Sequence, residues 1–240
     1  MMRINCDIGE RGPGHAVDKK LMEVIHIANL ACGGHAGNSA SVKVFRALAE
    51  ENGVQLAAHL SYPDRPNFGR QVIMISEPVL LDSLDEQLGL LPDLQRVKFH
   101  GALYNESCRN PLLAEVLSQW LGRAGIREIL APADAEITIS ARRHGITVLH
   151  EAFAERRYEY NETDQRLGLI NRSQINASIT DLGEALGHAE EIIKRQRVTI
   201  VRPYSSQPLW KEIGADTICV HSDSAIALDL AIRLRRLIEI

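Results

Sequence analysis

Short apolar runs that end in an acid or a histidine recur along this 240-residue chain, and they constrain its fold more than any other feature. His35 closes HIANLACGGH, His59 closes VQLAAH, His100 closes RVKFH and His221 closes TICVH, while Asp7 ends RINCD and Glu151 ends TVLHE. Parallel strands that each finish in a polar group gather those groups at one rim of a barrel or sheet. The pattern therefore predicts one pocket rich in imidazole and carboxylate.

The intervening sequence supports parallel βα units. Strands are expected at Arg3–Ile8, Ile25–Ala31, Val54–His59, Arg96–His100, Glu128–Ala131, Thr147–Glu151, Val198–Arg202 and Thr217–His221. Helical periodicity falls between them, at Asp18–Val24, Ser39–Asn52, Glu77–Leu91, Pro111–Ala124, Asp134–His144, Leu182–Arg195 and Ala225–Ile238. Ser39 offers an N-cap, and Gly53, Gly125 and Gly145 stand just past helix ends. Strand followed by helix, repeated about seven times, implies an α/β barrel of TIM-like type over residues 1–240, with a doubly wound open sheet as the alternative. Two stretches break the alternation and read as functional loops, Leu60–Arg70 directly after His59 and Ala154–Ser173 directly after Glu151.

Composition narrows the function classes. With 45% hydrophobic residues the chain can bury one substantial core. The net charge of −4 comes without blocks of like charge, so neither a nucleic-acid nor an anionic membrane surface is expected. The opening MMRINCDIGE lacks the pattern of a secretory leader, and no run reaches the ~20 apolar residues of a membrane span, so a cytoplasmic protein is expected. Cys6, Cys32, Cys108 and Cys219 have no CxxC spacing and read as reduced core thiols rather than nucleophiles.

The strand ends carry the chemistry. Asp7 and Glu10 in NCDIGE place two carboxylates either side of a glycine turn, suited to acid and base roles or to oxygen ligation. Lys98 and His100 stand two apart in VKFH, so a lysine inside an apolar strand shares a face with an imidazole, and an unpaired lysine there would be costly. His221 and Asp223 repeat the spacing in VHSDS, as an orienting pair or as two ligands. No compact zinc spacing occurs, so a metal would be gripped from several strands, with Asp7, His59 and His100 as candidates. No GxxxxGK[ST] loop is present, and CGGHAGN is only a weak phosphate motif.

Six ordered segments, NCDIGE, ANLACGGHAGN, AHLSYPDRPNFGR, VKFHGALYN, EAFAERRY and CVHSDSAIA, span nearly the whole chain and resemble the LamB/YcsF family. The resemblance implies a barrel, possibly seven-stranded, related to the polysaccharide deacetylase type. It also implies an A-type subunit that opens 5-oxo-L-proline, or a related cyclic amide, to L-glutamate in an ATP-dependent complex with separate B and C subunits. The missing phosphate loop fits a chain whose ATP is handled by partners; a homo-oligomer is left open. By position the resemblance assigns catalytic roles to Asp7, His35, His59, Lys98, His100, Glu151 and Asp223. It assigns substrate binding to Glu10, Asn29, Arg70, Tyr104, Asn105, Arg156, Tyr158 and His221. The chain departs from the family pattern at Asn38 (Asp), Leu60 (Pro), Gln71 (Arg), Phe99 (Pro), Glu155 (Asp) and Ser222 (Gly). Two alternatives stand beside this reading, a metal-dependent hydrolase or deacetylase acting alone and a divergent, non-catalytic partner-binding subunit.

Overall fold

Alternation of side chains along each strand decides the architecture, because strands packed on both faces must be apolar outward and selectively polar inward. The computed structural model describes residues 1–163, 165–201 and 209–239. Its first six strands are β1 (Arg3–Ile8), β2 (Ile27–Ala31), β3 (Gln55–Leu60), β4 (Arg96–Phe99), β5 (Glu128–Ala131) and β6 (Thr147–Phe153). The chain then leaves through β7 (Tyr158–Asn161), β8 (Arg166–Leu169), β9 (Arg197–Ile200) and β10 (Leu209–Glu212), and returns as β11 (Thr217–His221). Strands β1 to β6 and β11 close a seven-stranded parallel barrel in which β11 pairs with both β6 and β1. A TIM-like barrel is thus the fold.

Helices α1 (Ala16–Leu21), α2 (Ser39–Asn52), α3 (Glu77–Leu88), α4 (Gly101–Arg109), α5 (Pro111–Arg123), α6 (Glu136–Arg143), α7 (Leu182–Arg195) and α8 (Ala227–Ile238) follow the strands. Ile4, Cys6 and Ile8 of β1 belong, with Phe45 of α2 and Leu230 and Leu234 of α8, to the main buried cluster. The intervening Asn5 and Asp7 instead join a polar network inside the barrel. Ile27, Ala57, Leu130 and Leu149 form a separate small apolar cluster, so the inward positions are oily low in the barrel and polar towards the strand ends. No helix among the described residues is long and apolar enough to cross a membrane.

Three elements differ from the sequence expectation. Val198–Arg202 does not form a barrel strand: Val198 to Ile200 lie in β9 of a separate four-stranded sheet ordered β10-β9-β7-β8, and Arg202 lies outside the described residues. The reason is register, since Thr217 of β11 stands directly opposite Glu151 of β6 and leaves no gap for another strand. The stretch Ala154–Ser173, expected as a loop, contains the antiparallel pair β7 and β8; its Asp164 is also outside the described residues. Helix α4 begins immediately after His100 with no linker, over GALYNESCR, a segment to which the sequence reading assigns no element. The other departures are small: β2 starts at Ile27 rather than Ile25, and α1 ends in a turn closed by Val24 and Ile25 bonding to Leu21.

Phe45 is the bulkiest fully buried side chain and wedges α2 against the β1 turn. Phe45→Ala is expected to lower unfolding free energy by about 3–5 kcal/mol, read as a drop in urea midpoint at constant m-value.

Candidate active site

Lys98 is the centre from which the site is assembled. Its side chain is only 3% exposed, and its Nζ lies 2.9 Å from Asp7 Oδ1 and 2.9 Å from Glu151 Oε1. Asn5 Oδ1 at 3.4 Å and Cys219 Sγ at 3.2 Å complete its surroundings. Burial alone would push the lysine down, but Asp7, Cys219 and Glu151 reverse this and hold its pKa well above the ordinary value, so it stays an ammonium. Asn29 donates 2.8 Å bonds from Nδ2 to both Asp7 Oδ1 and Asn5 Oδ1, and Tyr104 donates to Glu151 Oε2 at 2.9 Å. Burial raises the Asp7 carboxyl, yet His59 and Lys98 outweigh it and set the group well below the usual carboxylate range.

A second cluster adjoins this one at the strand ends. Gly9, at φ 80°, turns the chain so that Glu10 reaches back over the rim beside Asp7. Glu10 Oε1 is 3.1 Å from His35 Nε2, 3.4 Å from His100 Nδ1 and 3.8 Å from His59 Nε2. The His35 and His100 rings stack at 3.6 Å, and His59 meets both edge-on. His59 Nε2 also lies 3.4 Å from Asp7 Oδ2, which joins the two clusters. Burial lowers the His35 pKa, and burial together with neighbouring His35 and His59 puts His100 well below its ordinary value.

The 60–70 loop caps this cluster. Asp64 and Pro66 shape a single 3₁₀ turn over Arg65–Asn67, after which the Phe68 carbonyl accepts from His100 Nε2 at 3.0 Å. Gly101, at φ 57°, allows the close approach: a Cβ there would stand 2.4 Å from the Gly69 carbonyl oxygen. Arg70 then lies over the Phe68 ring and points Nη2 to Asp223 Oδ2 at 3.4 Å, opposite Arg172 Nη1 at the same distance.

All of this opens on a cavity of about 740 Å³. Of the residues singled out from the sequence, Asp7, Glu10, His59, Arg70, Lys98, His100, Tyr104, Asn105, Arg156, His221 and Asp223 line it. His35 and Asn29 stand behind that lining, and Glu151 lies beneath Lys98. Tyr158 is buried below the rim, its hydroxyl accepting from the Phe153 backbone N–H at 2.9 Å. Arg156 already donates to the carbonyls of Ala177 and Ile170 and so fastens the loop that walls the cavity. His221 and Asp223 do not pair with each other. The strand ends at His221, a turn follows, and His221 Nδ1 instead meets Glu155 Oε1 at 2.6 Å while Asp223 faces the arginines. Asp7, a metal candidate with His59 and His100, holds Lys98 and Asn29 through Oδ1 and has His59 Nε2 3.4 Å from Oδ2, while Glu10 and His35 also stand with the two histidines.

Several participants escaped sequence reasoning. Asn5 has a readable signal, since it sits two residues before Asp7 on the same face. Arg172 and the Phe68 carbonyl have none, because chain folding alone delivers them. Burial pushes the Cys32 and Cys108 thiols up to about 12, which suits core cysteines and not nucleophiles. Three of the family departures have visible roles here: Glu155 holds His221, Asn38 caps α2 by accepting from Ala40 and Ser41, and Ser222 accepts from Arg11 at 2.8 Å.

The LamB/YcsF family description matches residues 2–240. The chain belongs to the LamB/YcsF family. It is 32% identical to the A subunit of 5-oxoprolinase from Bacillus licheniformis, over 97% of this chain and 92% of that protein. It is also 32% identical to the A subunit of 5-oxoprolinase from Neisseria meningitidis serogroup C, over 97% of this chain and 94% of the relative. Among solved structures, the lactam utilization protein of Thermus thermophilus superposes with TM-score 0.82 at 27% identity, covering 99% of this chain and 96% of the other.

Removing the buried cation tests the assembly of this family member's site. Lys98→Met leaves Asp7 and Glu151 facing each other unpaired, and unfolding free energy is expected to fall by about 3–5 kcal/mol in urea denaturation. Adding Glu151→Gln should restore part of that loss; no recovery would mean that lost packing, not charge, caused it.

Proposed function

We propose that this chain is the hydrolytic A subunit of an ATP-dependent 5-oxoprolinase, opening the lactam of 5-oxo-L-proline, or of a related cyclic amide, to the amino acid. The observation that carries the reading is the buried Lys98 ammonium on the floor of a cavity whose rim holds Arg70 and Arg172. A small anionic lactam has use for both: a fixed positive charge where oxygen gains electrons, and guanidinium groups for its carboxylate. The names of the relatives, two of them A subunits of 5-oxoprolinase and one a lactam utilization protein, support the same substrate class.

The chemistry asked of the site is attack of water on the carbonyl carbon and breakage of the ring C–N bond, with the water's proton passing through a base to the leaving nitrogen. Asp7 and His100 are the candidates for base, and geometry favours Asp7. Its Oδ2 has no bond to Lys98 or Asn29 and belongs to a side chain lining the cavity, whereas both nitrogens of His100 are engaged. A carboxylate held below its usual range is a weak base. It suffices only if the carbon is already activated: phosphorylation of the amide oxygen by ATP in B and C partner subunits provides that, so breakage of the C–N bond leaves an acyl phosphate, from which a second water releases the amino acid and inorganic phosphate. Val72 and Met74, 61% and 103% exposed just beyond Arg70, give a partner something apolar to bury near the mouth. Lys98 stabilises the oxyanion, and Asn29 and Glu151 hold Asp7 and Lys98 in place.

The deciding assay measures glutamate release and ATP hydrolysis from 5-oxoproline with this chain and its candidate B and C subunits together, and with each omitted in turn. The full set alone should release glutamate, and a folded full set that releases none refutes the substrate assignment. Asp7→Asn should cut turnover by about 10²–10⁴-fold. Arg70→Lys should act mainly on KM, because it removes a bidentate grip without touching the reacting atoms.

A further inference from the structure

We infer that Glu10, His59 and His100 form a binding site for one divalent first-row transition metal ion of zinc type, with His35 stacked on His100 and bonded to Glu10 beside it. The argument begins from hydrogen-bond direction. A backbone carbonyl can only accept, so His59 must donate from Nδ1 to the Lys98 carbonyl at 3.1 Å, and His100 must donate from Nε2 to the Phe68 carbonyl at 3.0 Å. A neutral imidazole has a single N–H. His59 Nε2 and His100 Nδ1 are therefore both lone pairs, and they face each other at 3.0 Å. At that separation a cation must lie between them, a shared proton or a metal ion, and Glu10 Oε1, converging on the same point from 3.4 Å and 3.8 Å, favours the metal ion.

The third ligand fits the same centre. Glu10 Oε1 stands 3.4 Å from His100 Nδ1 and 3.8 Å from His59 Nε2, and is held from outside by His35 Nε2 at 3.1 Å. The three ligand separations thus run from 3.0 to 3.8 Å. Zinc bonds of about 2.0–2.1 Å in a tetrahedron separate neighbouring ligand atoms by roughly 3.3–3.4 Å, in the middle of this range. Each outward N–H of His59 and His100 rests on a backbone carbonyl, the support that ligating histidines ordinarily have. Charge agrees as well, since the Lys98 ammonium serves Asp7 and Glu151 while Glu10 faces imidazoles instead. Two imidazole nitrogens and one carboxylate oxygen select zinc, cobalt or iron over magnesium or calcium. The neighbouring trio Asp7, Cys219 and His221 also clusters, but the Lys98 ammonium already lies 2.9 Å from Asp7 and 3.2 Å from Cys219 Sγ, so that place is filled.

This inference is independent of the lactam reading, and its test needs no substrate. The full chain, stripped with chelator and dialysed, is titrated with cobalt(II) while visible absorption is recorded, then with zinc(II) in competition. One equivalent of cobalt with intense tetrahedral bands, displaced by one equivalent of zinc, is expected. Glu10→Gln, which removes a rim carboxylate and leaves the core intact, should weaken binding by more than the roughly 10–100-fold typical of losing an outer-sphere partner. His100→Ala should do the same. A folded wild-type chain that takes up no stoichiometric cobalt or zinc overturns the proposal, and so does affinity unchanged in both variants when circular dichroism shows them folded.

Discussion

A lysine ammonium buried inside a parallel barrel is the constraint on which the rest of the site depends. Its desolvation would be prohibitive without Asp7 and Glu151 at 2.9 Å each, and those carboxylates would be equally costly without it. Mutual dependence of this kind propagates. Asn29 donates to both Asp7 and Asn5, Tyr104 donates to Glu151, and Asn5 donates to Thr217 of the neighbouring β11 at 3.0 Å. Strands β1, β2, β4, β6 and β11 are thereby tied together through their inward side chains as well as through their backbones. Chemistry and strand register support one another at this level of the barrel.

Two clusters divide the work around that centre. The lower one is a charged network in which the Lys98 ammonium and Asp7 Oδ1 are engaged by fixed partners, so its electrostatic field is set before any ligand arrives. The upper one gathers three imidazoles around the Glu10 carboxylate. His59 belongs to both, through Asp7 Oδ2 on one side and Glu10 on the other. Binding in the upper cluster is therefore felt by Asp7.

Much of this was legible in the sequence, for reasons that can be located. The strand-ending acids and histidines were readable because parallel strands carry one direction, so position along a run converts directly into height in the barrel. Lys98 stood out because nothing apolar explains a lysine between Val97 and Phe99. The pairing of His221 with Glu155 was not readable: the two-residue rule holds within a strand, and β11 stops two residues before Asp223. The fate of Val198–Ile200 was equally hidden, because an apolar run has the same appearance in a barrel and in a side sheet. Only the direct register of β6 on β11 decides between them.

The excursion that carries β7 to β10 leaves from Phe153 and returns near Cys219, residues that face each other as ladder partners. Its two ends are therefore already together when the barrel closes, and lengthening or rebuilding the segment changes loop-closure entropy only logarithmically. The barrel thus treats this whole wall of the cavity as a detachable module. Evolution, or an engineer, can remodel the wall that a substrate or partner meets, keeping Glu155 on His221, while the charged floor beneath is left alone.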